Sequence, residues 1–138
     1  MSTILDRYFS FHGRLARLPF FIRGIYLSIV VTVFLVASIP LFANGSRILW
    51  WAGLAVLIVG IAIAVVSEIS LTVRRLHDLG LSGYHAIWVG AADVVGTILS
   101  YSNEDLAVYL SLPLLAIGLW LLFWPGQAGA NRFGEAPT

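Results

Sequence analysis

The chain has 138 residues, a single domain's worth, of which 59% are hydrophobic and only 11% charged; a water-soluble domain carries about 25% charged residues, so this composition excludes one. Net charge is +1 and cysteine is absent, which leaves no general affinity for nucleic acid, no disulfide, no thiolate chemistry and no cysteine-based metal site. All eight cations are arginine, the side chain that pairs bidentately with phosphate or carboxylate and stays charged when buried.

In chain order, the first expected element is a short helix over about 3–12. Thr3-Ile4-Leu5-Asp6 has the spacing of a capping box. Ile4, Leu5, Tyr8 and Phe9 fall on one helical face with Arg7 off it, the pattern of a helix lying in the membrane surface. The polar lead is too long, and the apolar run behind it too extended, for a cleaved signal. A first span is expected over about 19–42, opened by Pro19, whose missing N–H costs nothing in a first turn. Its uncharged core at 24–43 has 20 residues, matching the roughly 20 needed to cross a hydrocarbon core.

Asn44-Gly45-Ser46 reads as a tight turn. A second span follows over about 48–73, its uncharged part at 48–67 again 20 residues long. A polar loop is expected at 74–83, with Gly80 as the stop of the second helix and Ser82 as the N-cap of the third. The third span, about 84–101, has a tyrosine at each end and Asp93 in its middle. A short acidic turn at 102–105 leads to the fourth span, about 106–124, which ends in the aromatic stretch LLFW; the tail is 125–138. Tyr and Trp at segment ends suit the headgroup level. The expected fold is all-α and integral to a membrane: one domain, a four-transmembrane-helix bundle with a short N-terminal interfacial helix.

Arginine marks the cytoplasmic side. Arg7, Arg14, Arg17 and Arg23 precede or begin the first span, Arg74 and Arg75 follow the second, and Arg132 follows the fourth; Arg47 alone lies on the other side. Both termini and the central loop are therefore expected in the cytoplasm.

Three ionisable residues fall within the spans: Arg23, Glu68 and Asp93. An aspartate at a helix centre costs about 2.5–3.5 kcal/mol on insertion scales, so such groups are expected to face other helices. Glu68 shares a four-residue repeat with Gly60, Ala64 and Thr72, and Asp93 sits with Ala86, Gly90 and Thr97. Small-residue stripes are where membrane helices approach closely. The expectation is an inward-facing cluster with an Arg23–Glu68 ion pair and Asp93 nearby.

Chemistry-bearing residues concentrate in Arg74-Arg75-Leu76-His77-Asp78 with Ser82-Gly83. The spacing of His77, Asp78 and His85 fits no standard zinc pattern, and neither a nucleophile elbow nor an H-E-x-x-H helix is present. No metal, cofactor or catalytic residue is expected. An arginine pair beside a helix N-terminus suits an anion; the plain alternative is that these arginines serve topology, with Asp78 neutralising one of them.

Three motifs stand out together: Phe11-His12-Gly13-Arg14-Leu15-Ala16-Arg17, then Arg74–Asp78 with Ser82-Gly83, then Asn131-Arg132-Phe133-Gly134 with Pro137. They resemble the small bacterial inner-membrane family known as domain of unknown function 805, which looks like F-x-G-R-x-x-R, R-R-L-H-D-x-G-x-S-G-[WY] and N-R-[FY]-G-x-x-P. Tyr84 stands where members often carry tryptophan. The resemblance implies a multi-pass protein of the bacterial inner membrane and supplies no activity.

All three motifs fall on the cytoplasmic side of the expected topology. Arg14, Arg17, Arg74, Arg75 and Arg132 would then surround His77, Asp78, Ser82 and Asn131. Topology alone requires arginines, not His, Asp, Ser and Asn beside them. The expected function is a cytoplasmic-face site for an anionic ligand, a lipid headgroup, lipid phosphate or small anion, coupled to the Arg23/Glu68/Asp93 cluster. Membrane lipids, anionic ones above all, are the expected partners. The alternatives are an oligomeric ion or proton channel or transporter using Asp93 and Glu68, with a homo-oligomer as its form, and a structural or regulatory membrane subunit.

Overall fold

The computed structural model describes residues 4–100 and 104–137. Within them the chain forms five helices: α1 (Ile4–Phe9), α2 (Arg17–Ala43), α3 (Arg47–Asp78), α4 (His85–Ser100) and α5 (Glu104–Phe123). Among the described residues there is no strand, only an isolated bridge between Asn131 and Gly134. The expected cap at Thr3, the tyrosine anchor at Tyr101 and positions 102–103 of the acidic turn lie outside the described residues.

Helices α2 and α3 have 27 and 32 residues, about 40 and 48 Å at 1.5 Å per residue. Both are long and apolar enough to cross a membrane. Ile25, Ile29, Val33 and Val36 on α2, and Ile58, Ile61 and Val65 on α3, are exposed. An all-helical chain with two such helices is consistent with a membrane helical protein. Helix α4 has 16 residues, about 24 Å, and α5 has 20.

The helices run antiparallel, and four of their ends meet at one pole. The Leu15 amide, just before α2, donates to the Arg74 carbonyl near the end of α3. Arg75 near the same end donates to the Leu121 carbonyl near the end of α5. The small core is at this pole too: Leu76, Ala86 and Leu121, with Phe20, Val73, Leu79, Leu81 and Ile117 around them.

Helix α3 continues through Arg74–Asp78, which the sequence placed in a loop. Hydropathy falls at Arg74, but arginine, leucine and histidine are all compatible with a helix. The stop comes at Gly80, with φ +79°. The Leu81 amide donates to the Leu76 carbonyl and the Gly80 amide to the His77 carbonyl, the paired bonds of a Schellman ending. The connection to α4 is thus only residues 79–84.

The close contact between α2 and α3 uses a different stripe from the one expected. Gly53, Gly60 and Ser67 are buried at seven-residue spacing. A Cβ on Gly60 would stand 2.6 Å from Phe34 Cβ. Seven residues return to within about 20° of the same face, whereas each four-residue step turns about 40° away. Glu68 therefore lies about 80° from Gly60 and is exposed. On α4, Ala86 is buried, but Gly90 has open space beside it and Asp93 is exposed. Both carboxylates are thus exposed, and they lie near enough for Glu68 to feel the charge of Asp93. Among the described residues no Arg23–Glu68 ion pair forms; Arg23 instead donates to the Arg7 carbonyl at 3.3 Å.

Gly60→Ala should weaken the α2–α3 hairpin by about 1–3 kcal/mol, the usual cost of overpacking, read as a lower thermal midpoint in detergent. Phe34→Ala in the same chain should recover part of the loss. An unchanged midpoint for Gly60→Ala would show that the helices do not meet at this glycine.

Candidate functional site

At the polar pole the last carbonyls of α3 all find donors. Arg74 takes the Leu15 amide, Arg75 the Leu79 amide, Leu76 the Leu81 amide and Asp78 the Gln127 amide. His77 takes the Gly80 amide and the Asn131 side-chain amide. The order of the chain explains this: segment 10–16 runs in beside α3, and the tail at 124–134 returns over the helix end.

Asp78 is 3% exposed and receives two arginines. Arg14 Nη2 lies 3.0 Å from Oδ1, and Arg75 Nη1 lies 2.6 Å from Oδ2. Both guanidiniums also reach backbone. Arg14 donates to the carbonyls of Gln127, Gly129 and Gly134. Arg75, fully buried, donates to those of Leu121 and Trp124. These guanidiniums hold the N-terminal segment, α3, α5 and the tail together. They present no free edge to a ligand, so of the expected anion-binding arginines Arg14 and Arg75 are a structural clasp.

The other expected residues divide. Asn131 donates to the His77 carbonyl and the Gln127 side chain, and its own side-chain oxygen accepts the Phe133 amide; it shapes the tail. Arg17 is exposed. Arg132 is exposed, donates to the Gly80 carbonyl at 3.4 Å and lies 4.6 Å from the centre of the Phe133 ring. Ser82 accepts the Tyr84 amide at 3.4 Å, as an N-cap would. His77 stacks on Phe133 at 3.8 Å and bonds the Gly13 carbonyl through Nδ1 at 3.1 Å. A carbonyl only accepts, so Nδ1 carries the proton and the neutral ring leaves Nε2 as an acceptor. Burial lowers the His77 pKa from its ordinary value and the Gly13 bond opposes this, while Arg132 and His12 lower it further.

A second arginine group has a different character. Arg23 and Arg74 both reach the Arg7 carbonyl at the end of α1, each at 3.3 Å, and Arg74 also reaches that of Asp6 at 3.4 Å. Neither has an acid within 4.0 Å among the described residues. Arg74 Nε is buried with no hydrogen-bond partner among them. Burial, then the charge of Arg23, lowers the Arg74 pKa from its ordinary value.

The sequence singled out the tail motif at 131–134 but not Gln127 or the main-chain carbonyls through which the tail acts. Gln127, the carbonyls of Gly129 and Gly134, and Gly126 complete the clasp; a side chain at Gly126 would collide with the Asp78 carboxylate. The glycine density of PGQAGANRFG was the available signal. Glu68 and Asp93 stand apart from this pole; the ionisable neighbour that Glu68 feels is Asp93.

The chain belongs to the family described as Protein of unknown function (DUF805), which matches residues 8–135, nearly its whole length. No curated protein and no solved structure matches it.

Asp78→Asn leaves two buried guanidiniums without their shared counter-charge. Breaking a buried pair this way costs about 3–5 kcal/mol, so the variant should melt at a lower temperature and its tail at 124–134 should become open to protease. A tail as resistant as in the wild type would show that the clasp does not hold it.

Proposed function

We propose that this is a bacterial inner-membrane protein that crosses the bilayer four times, keeps both termini in the cytoplasm, and holds the phosphate of an anionic lipid headgroup at its cytoplasmic face through Arg23 and Arg74. One observation carries the ligand reading: two neighbouring guanidiniums converge on a single carbonyl, and among the described residues neither has an acid within 4.0 Å and the buried Arg74 Nε has no hydrogen-bond partner. A cation short of counter-charge at the headgroup level attracts anionic lipid, and arginine's fork suits phosphate.

The surroundings support the same depth. Ile4 and Leu5 of α1 are 74% and 67% exposed, and Leu18, Phe21 and Ile22 at the start of α2 are exposed as well. This is an apolar rim beside paired cations, the composition of an element lying in a membrane surface. The topology rests on antiparallel order, on helix ends gathered at one pole, and on seven arginines at that pole against Arg47 at the other. Helix α4 is short for a span, and a shorter apolar segment is accommodated by local bilayer thinning.

Because the chain has no cysteine, single cysteines report topology directly. Asn44→Cys should react with an impermeant maleimide from outside intact cells, and Ala136→Cys only after the membrane is opened. The reverse pattern, or both reacting from one side, would overturn the four-span orientation.

For the lipid site, an arginine near an anionic surface contributes about 1 kcal/mol. Native mass spectrometry with added phosphatidylglycerol and phosphatidylcholine should show wild type preferring the anionic lipid. Arg23→Gln with Arg74→Gln should lose roughly thirty-fold of that preference, and the two Lys replacements should keep much of it. An undiminished preference in the Gln pair would sink this assignment.

A further inference from the structure

The groove between α3 and α4 lies apart from Arg23 and Arg74 and has an axial polarity of its own. Ile69, Val73 and His77 follow one another at four-residue spacing along α3, and Ile87 of α4 stands on the opposite wall. At 1.5 Å per residue, the step from Ile69 to His77 is about 12 Å. His77 and Ser82 occupy the end at the polar pole, and the wall away from it is aliphatic. The groove is open along one side and has a volume of about 340 Å³. Gly83 closes its floor: a Cβ there would stand 2.7 Å from Val73 Cγ1 and 3.3 Å from His77 Nε2.

The polar end carries unused hydrogen-bonding capacity and positive charge. The His77 ring is held by the Gly13 carbonyl and the face of Phe133, while Nε2, on the Gly83 side, has no protein partner among the described residues. The Ser82 hydroxyl accepts the Tyr84 amide and donates its proton to nothing in the described chain. The charges acting on His77 are those of Arg132 and His12. The nearest acid in sequence, Asp78, has its two oxygens taken by Arg14 and Arg75.

We infer that this groove is a binding site for a membrane amphiphile with a compact anionic head and an acyl chain, the head meeting His77 and Ser82 and the chain lying along Ile69, Val73 and Ile87. Charge complementarity selects the head: Arg132, bonded to the Gly80 carbonyl two residues before Ser82, and His12 act on His77 as positive charges, and the groove's lining holds no acid. The aliphatic wall selects the chain, since a head alone would leave it unfilled. Protonation turns Nε2 from acceptor to donor, so an anion binds the imidazolium form more tightly. The site rests on the membrane reading of α3 but not on the Arg23/Arg74 assignment.

The test uses the full chain in neutral maltoside micelles, titrated with dodecane sulfonate, whose head stays charged across the pH range. The His77 ring resonances, assigned by their loss in His77→Gln, report binding. The expected result is a saturable shift that tightens as pH falls through the His77 titration, below the ordinary imidazole value. Methanesulfonate, the head without the chain, should give no saturable shift. Ile69→Trp, which fills the groove from an exposed position, should weaken binding about tenfold or more; Ile87→Trp serves if that variant fails to fold. Arg23→Gln with Arg74→Gln should leave the titration unchanged. A response to methanesulfonate equal to that of the chain-bearing probe overturns the site, as does binding indifferent to a folded groove-filling variant. Loss of binding only in the Arg23/Arg74 pair assigns the probe to the headgroup site and overturns the groove.

Discussion

The constraint on which this fold depends is the convergence of helix C-termini at one pole. A helix end leaves its last carbonyls without intrahelical donors and carries the negative end of the macrodipole. Helices α3 and α5 bring two such ends together, and Asp78 adds a full negative charge between them. Amides of the N-terminal segment, the 79–81 turn and the tail cap the α3 carbonyls, while Arg14 and Arg75 answer the rest with two salt bridges to one carboxylate and hydrogen bonds to five carbonyls of α5 and the tail. The two cations exceed the one anion by a full charge, and the carbonyl dipoles offset that excess. Lysine could not replace either residue, because its compact ammonium lacks the planar fork that reaches several acceptors at once.

Burial is distributed accordingly. The buried charged residues Arg14, Arg75 and Asp78 and the core residues Leu76, Ala86 and Leu121 all lie at the clasped pole. Away from it the helices touch more sparingly, with the Gly60–Phe34 approach holding α2 to α3. In water such a molecule would expose far too much apolar surface. In lipid, apolar side chains need no burial, and helix association falls to close packing at small residues and to polar contacts. A chain closed by a polar knot at one end and by glycine along one seam meets both requirements.

Much of this was legible in the sequence, and the misses have identifiable causes. Composition revealed α2 and α3, and Gly80 correctly marked the end of α3. Helix α3 runs past 73 to Asp78 because backbone geometry, not hydropathy, decides where a helix stops, and Leu76 and His77 continue it. The stripe through Glu68 went wrong because a four-residue repeat drifts around a 3.6-residue helix, while the seven-residue repeat of Gly53, Gly60 and Ser67 keeps its face. The three motifs are in fact brought together at one pole. Their arginines were read as one open cluster because the acceptors that occupy Arg14 and Arg75 are mostly main-chain carbonyls, which leave no mark in a sequence.

That distinction is sharpest at the adjacent pair Arg74-Arg75. Successive residues on a helix point about 100° apart, so the two guanidiniums leave α3 toward different neighbours. Arg75 turns toward α5 and Asp78, where carbonyls and a carboxylate are waiting, and it is completely buried. Arg74 turns toward α1, where the Arg7 carbonyl is already shared with Arg23. One site has acceptors enough for its cations, and the other has cations in surplus. Side-chain type and position in the chain are nearly the same, so the supply of acceptors separates them. An arginine whose acceptors are supplied by the fold is committed to stabilising it, whereas one left short keeps hydrogen-bonding capacity to spare, and the lipid site proposed above rests on that difference.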